Sequence, residues 1–238
     1  MSFDVNRVCQ ALSTDRLGPL LAASGGDVRQ ALQHYQQNIL LSEALYPSLQ
    51  LLEFVLRNRF EIALLAHYGS AWYQSPSFVS DLTVGRYDNN KVTQEEQQLK
   101  GVLVQLNATG KALTSGRVVA GLNFGFWTGL LGTAYKSKFW GPAWSTLVPH
   151  QDQISKAQIS QDLPRLEKTI RRMLRDIRHL RNRVFHHEPV WNDPKLWNKY
   201  QDLRTLIQWM EPEIRAWSDA TQVDRFPGVF QQLKGLQP

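Results

Sequence analysis

Apolar residues recur along this chain at intervals of three and four, the period of helices with one buried face, and convincing strand-like alternation is absent. Residues 1–25 read as one short helix or two, with Ser13-Thr14-Asp15 as caps and Ser24-Gly25-Gly26 as a stop. Asp27 suits the N-cap of a new helix carrying Val28, Ala31, Leu32 and Tyr35 on its apolar face. That helix runs through Ile39-Leu40-Leu41 to Tyr46-Pro47, where a kink or restart is expected because proline has no amide donor. Leu49, Leu52, Val55, Leu56, Ile62 and Leu65 then continue the pattern to Tyr68-Gly69. On this stretch Glu53 and Arg57 stand four apart and can pair. Residues 70–92, with Ser75-Pro76-Ser77, Gly85 and Asp88-Asn89-Asn90, read as a turn-rich connection, and Thr93-Gln94-Glu95-Glu96 as the start of a helix that fades near Ala108-Thr109-Gly110.

From Val118 to Tyr135 there is no charged residue, and Gly121, Gly125 and Gly129 follow one another at four-residue spacing. Length and pattern suit a membrane span with a small-residue packing face. Asn123, Thr128, Thr133 and the glycines make the segment weakly hydrophobic, so a buried, close-packed helix is favoured, its glycines admitting another backbone. Phe139-Trp140-Gly141-Pro142-Ala143-Trp144 is an aromatic loop that either caps the core or offers stacking platforms to unpaired bases. A helix is expected from Pro164 to about His187, because Pro189 disfavours the α conformation at Glu188. Asn192-Asp193-Pro194 then opens a last long helix bearing Leu196, Leu203, Leu206, Ile207 and Met210. Pro212 interrupts it, and Phe226-Pro227-Gly228 starts an irregular tail. The prediction is an all-α chain, residues 1–238 forming one domain, without repeats or a linker.

The helix after Pro164 changes this picture. Leu166, Ile170, Met173, Ile177, Leu180 and Val184 form one apolar stripe, whereas Lys168, Arg172, Arg175, His179, Asn182 and His186 form a polar stripe about 200° away. Arg171, Arg178 and Arg181 flank the polar row. Eight basic against three acidic residues between Pro164 and Glu188 supply five of the chain's six net positive charges, a field that attracts polyanions, although a merely solvated face has the same composition. With 42% apolar and 20% charged residues the rest is ordinary globular sequence. The single Cys9 excludes an intrachain disulfide and a thiolate metal cluster and suits a reducing cytosol. Asp4, Arg7, Asp15 and Arg16 punctuate the first twenty residues, so no signal peptide is expected and a cytoplasmic location is.

Arg181-Asn182-Arg183-Val184-Phe185-His186-His187-Glu188-Pro189 packs more catalytic-type residues together than any other stretch. Arginine and histidine without a carboxylate cluster suit RNA cleavage through its own 2′-hydroxyl. A histidine moves a proton, a guanidinium stabilises the phosphorane charge, and neither metal nor other cofactor is called for. Arg181 and His186 stand about 140° apart on a straight helix, so a frayed helix end or a second subunit has to bring them together. A metal at His186-His187-Glu188 is disfavoured because adjacent helical residues diverge by about 100°. A purely structural role, with His187 and Glu188 capping the helix, remains open on spacing alone.

The same residues resemble the Abi-like (abortive infection) family of the HEPN superfamily, whose hallmark is an arginine, four to six residues, then a histidine. Arg181 to His186 has four intervening residues, and His187-Glu188-Pro189-Val190 looks like the Abi-like version. Gly25-Gly26-Asp27 with Tyr35, Asn38 and Leu41-Ser42, then Leu52-Glu53 with Leu56-Arg57-Asn58, and Phe124-Gly125-Phe126-Trp127 are similar to its other blocks, in the same order. The resemblance implies a HEPN-like helical bundle with additional helices, often a homodimer whose motifs meet in a cleft. It also implies a metal-independent endoribonuclease of phage defence or a toxin–antitoxin pair. Carried over, Arg181 stabilises phosphate, His186 is the general acid/base with His187 second choice, and Asn182 orients them. From their place on the polar stripe and its flank, Lys168, Arg171, Arg172, Arg175 and Arg178 are expected to bind RNA; Glu53 and Arg57 support the site by block position. The implied partners are RNA, a second copy and an antitoxin protein, with no membrane. The alternative is a non-catalytic RNA- or protein-binding module on the same basic face.

Overall fold

The computed structural model describes residues 4–86, 91–150 and 163–234, so the Asp88-Asn89-Asn90 turn lies outside the described residues. The fold is all-α, without strands among the described residues. Two short helices, α1 (Val5–Leu12) and α2 (Thr14–Ala23), are separated at Ser13, whose φ of 67° breaks the first and whose hydroxyl caps the second. They lie against the start of α3 (Val28–Tyr68), a 41-residue helix opened by Asp27, whose carboxylate accepts from the Arg29 and Gln30 amides at 2.8 and 3.1 Å.

The helix does not restart at Pro47, one of the two outcomes expected there. Leu45, Leu49 and Leu52 are all at most 2% exposed. Burying each contributes about 1.5–3 kcal/mol, and together this exceeds the roughly 3 kcal/mol that an interior proline costs. Tertiary burial therefore holds one continuous helix where propensity asks for two.

After a turn at 72–74 comes α4 (Pro76–Leu82), a helix inside what reads as a turn-rich connection. Proline at its first position is compatible with a start because that amide has no helical partner. α5 (Gln94–Ala108) begins at a capping box: the Glu96 amide donates to Thr93 Oγ1 at 3.1 Å, and the Thr93 amide to Glu96 Oε2 at 3.0 Å. The uncharged 118–135 segment is not one helix. It contributes to α6 (Ser115–Gly121) and α7 (Phe124–Leu130), divided at Asn123, whose side chain accepts from the Phe126 amide and caps α7. Neither is long enough to cross a membrane. Their glycines admit side chains of α5 rather than another backbone: a Cβ at Gly121 would come within 2.7 Å of Val102 Cγ1, and one at Gly129 would collide with the Glu95 carboxylate.

Phe139, Trp140 and Trp144, in and after a wide π-helical turn at 136–140 and at the head of α8 (Trp144–Leu147), are at most 5% exposed and cap the core, so they offer no stacking platforms. α9 (Leu163–Phe185) carries the motif. Residues 191–195 form turns rather than a helix start, and α10 (Leu196–Met210) follows, then α11 (Pro212–Ala220). The supposed tail is α12 (Phe226–Lys234), its Phe226 and Phe230 packed into the same core.

The long α3 is the axis on which α2, α8, α10 and α12 lean, and α9 sits between α10 and α7. α3 is also, by length and composition, the helix among the described residues that could cross a membrane; here its buried stripe is the centre of the core.

Candidate active site

The two stripes of α9 fold as their spacing dictates. Leu166, Ile170, Met173, Ile177, Leu180 and Val184 are buried, and Lys168, Arg172, Arg175, His179, Asn182 and His186 are exposed. The helix ends at Phe185, one turn's fraction before the expected His187. The ending is a Schellman turn: the Glu188 amide donates to the Arg183 carbonyl at 2.8 Å and the His187 amide to that of Val184 at 3.2 Å. His187 takes the left-handed conformation that glycine usually supplies there, with φ 59°. His186 and His187 therefore diverge. His186 closes the outer stripe beside Asn182. His187 faces a groove of about 470 Å³ lined by Asn38, Ser42 and Tyr46 of α3.

Asn38 fastens this turn to α3. Its side chain, 5% exposed, receives the amides of Val190 at 2.5 Å and Trp191 at 3.2 Å, and donates to the Glu188 carbonyl at 3.4 Å. The Trp191 ring stacks on His34 at 3.9 Å between centroids, adding a second attachment to the same helix. On the other side Asp193 receives Lys199 Nζ at 2.6 Å and lies 3.3 Å from Arg183 Nη1. Burial raises the Asp193 pKa. The Lys199 hydrogen bond, the Lys195 amide and the Arg183 charge outweigh it, so the carboxyl stays below its ordinary range.

Arg181 does not reach along α9 to His186. Its guanidinium crosses to α3, where Glu53 Oε2 lies 3.5 Å from Nη2 and the other carboxylate oxygen bonds to Arg57. Tyr46, Glu53 and Arg57 are spaced seven and four apart, one face of α3. The guanidinium of Arg181 lies over the Phe185 ring at 4.1 Å, and that ring stacks on Tyr46 at 5.4 Å. Two arginines around one carboxylate leave this corner with a net positive charge. The Nε atoms of both arginines are buried without a hydrogen-bond partner. Among the described residues no hydrogen bond or ion pair joins Arg181 to His186, His187 or Asn182. Tyr46, Phe185 and Asn38 were absent from the sequence-derived site. Asn38 stood in a matched block, and the aromatic pair left no signal, because its partners come from two helices.

The basic residues also sort themselves. Arg172 lies 3.5 Å from Asp176 and 3.6 Å from Asp202, and Arg175 3.2 Å from Asp176, so both are partly neutralised. Lys168, Arg171 and Arg178 have no acidic partner among the described residues. Nor, among these residues, do three histidine, cysteine, aspartate or glutamate side chains gather to hold a metal. Comparison with family models, curated proteins and solved structures returned no match.

Proposed function

We propose that this chain is a metal-independent endoribonuclease of the HEPN type, cytoplasmic, acting as an abortive-infection or toxin-like effector. The observation that carries the reading is the placement of Arg181. Its guanidinium is held at the α3–α9 junction by Glu53, net charge positive, at the end of an exposed basic row that His186 closes. In the reaction, the 2′-hydroxyl of RNA attacks the adjacent phosphorus as His186 takes its proton. The bond to the 5′-oxygen breaks, that oxygen takes the proton back from the His186 imidazolium, and a 2′,3′-cyclic phosphate and a 5′-hydroxyl result. Arg181 stabilises the charge on the pentavalent phosphorus. His187 is the second choice for the proton transfer, and Asn182 orients the phosphate.

The reading includes a homodimer, in which His186 of one chain works beside Arg181 of the other. Two observations support it: the two groups are unconnected within one chain, and Ile39, Tyr46, Phe54 and Phe185 stand 37–50% exposed around this corner. Purified wild type, Arg181→Ala and His186→Ala are to be incubated with RNA in the presence of chelator. The expected outcome is cleavage by wild type, reduced at least 100-fold in each variant, as losing a proton-transfer group or a charge-stabilising donor entails. Equal behaviour of three folded proteins sinks the proposal.

One observation favours a second reading, a non-catalytic RNA-binding module: the Arg181 guanidinium is already engaged by a carboxylate of its own chain. On that reading RNA binds in a salt-dependent manner and stays uncut.

A further inference from the structure

Lys168, Arg171 and Arg178, which have no acidic partner among the described residues, face a groove that the motif itself does not use. It encloses about 860 Å³ between the flank of α9 from Pro164 to Arg178 and the segment Thr128–Trp140. On the α9 side stand Lys168, Arg171, Arg175 and Arg178. The opposite wall adds Lys136, a cation far away in sequence. Glu167, the acid in the groove, is 6% exposed and already bonded to Lys136. The floor is the buried Trp140, with Lys136 Nζ 5.3 Å and the Arg171 guanidinium 5.7 Å from its ring centre. These contacts fix two of the cations from beneath and leave their outer sides to a ligand.

Size decides what ligand enters. Fourteen helical steps span about 21 Å, so the enclosed volume corresponds to a mean section of about 40 Å². That accommodates one phosphodiester strand. An A-form RNA duplex, whose two backbones flank a wide, shallow minor groove, lies across the mouth of such a groove rather than within it. Position decides where the strand goes. Arg178, at the end of the groove, is three residues from Arg181, the spacing of neighbours on one helix face.

We propose that this groove binds a single unpaired RNA strand by its phosphates, between α9 and Lys136, and leads it to Arg181. The proposal rests on the ribonuclease reading for the purpose of the groove, but its binding chemistry can be tested separately. The full chain carrying His186→Ala and His187→Ala, which leaves the probe uncut, is titrated by fluorescence anisotropy. The probes are a labelled oligouridylate and a blunt RNA duplex, each of about 15 nucleotides per strand, within the site sizes of single-strand grooves. The single strand is expected to bind at least tenfold more tightly than the duplex. Adding Arg171→Ala with Arg178→Ala, neither of which breaks an ion pair among the described residues, weakens it at least tenfold and lowers the slope of log K against log salt by about 1.4, two phosphate contacts. Thermal melting checks that this variant is folded.

Equal or tighter duplex binding overturns the proposal, as does oligouridylate binding that ignores the two substitutions. Equally tight binding of a poly-glutamate peptide of the same charge also overturns it. If wild type cuts no RNA while these binding results hold, the nuclease reading falls and the groove stands. If Arg181→Ala abolishes cleavage while Arg171→Ala with Arg178→Ala binds normally, the groove falls and the nuclease stands.

Discussion

His187 is the residue at which local chemistry and fold disagree most openly. The turn after α9 needs a left-handed residue, and the chain places a histidine there at φ 59°. Such a backbone costs a non-glycine residue about 1–2 kcal/mol. The Asn38 hydrogen bonds and the stack of Trp191 on His34 hold the segment that follows. His187→Gly is therefore expected to raise the melting temperature by about 2–4 °C, as roughly 1 kcal/mol does for a chain of this size. The same variant bears on the choice of histidine: cleavage persists with His186 as the proton carrier and disappears with His187. At this scale the sequence is informative about identity and spacing. Arg181, Asn182 and His186 were legible as a motif, and Glu53 with Arg57 as an i, i+4 pair. That Glu53 also receives Arg181 was not legible, since 128 residues separate them in the chain and only the packing of α9 on α3 joins them.

Among the helices, α9 follows its own pattern completely, because its two stripes are long and opposite, and a helix with such faces has one way to lie on a core. α3, α6 and α7 depart from theirs. α3 passes through Pro47 because leucines on both sides of it are buried, whereas the uncharged stretch divides at Asn123, whose cap starts α7. The glycines of that stretch mark where α5 comes close. Gly121→Ala is expected to destabilise by about 1–3 kcal/mol, the usual cost of overpacking, because the new methyl meets Val102, a β-branched side chain 8% exposed with few rotamers open to it. Gly116→Ala in the same helix faces open space and serves as the control. Chemical denaturation of the two variants measures the difference.

For the whole molecule, pH acts through acids held in ion pairs. Asp193 keeps its carboxyl below the ordinary 3.8 despite burial, through Lys199, the Lys195 amide and Arg183. Glu96 stays below 4.5 chiefly through its hydrogen bond from Arg86. A lowered folded pKa means that the ionised acid contributes stability above its unfolded pKa, and that this is lost as pH falls through the folded value. Asp202 has the opposite sign: burial, only partly offset by Arg172, raises its pKa, so its protonation in mild acid favours the folded state. Stability is therefore expected to hold from neutral pH to about pH 5 and to fall below about pH 4. Asp193→Asn should lower it at neutral pH and flatten the acid decline. Melting temperatures across that range check both.

By itself the sequence determined the helical class, the two faces of α9, the caps at Asp27 and Thr93, and the spacing of Arg181 and His186. All of these depend on residues within a few turns of one another, where 3.6-residue geometry fixes which side chains share a face. Tertiary structure alone decided that α3 runs unbroken, that the aromatic loop is core, and that His187 faces a groove lined by α3. It also decided that Glu53 holds Arg181 and that Lys136 faces the arginines of α9 across a groove. The reason is physical: these outcomes depend on burial free energy and on contacts between helices far apart in the chain, and no local pattern records either quantity.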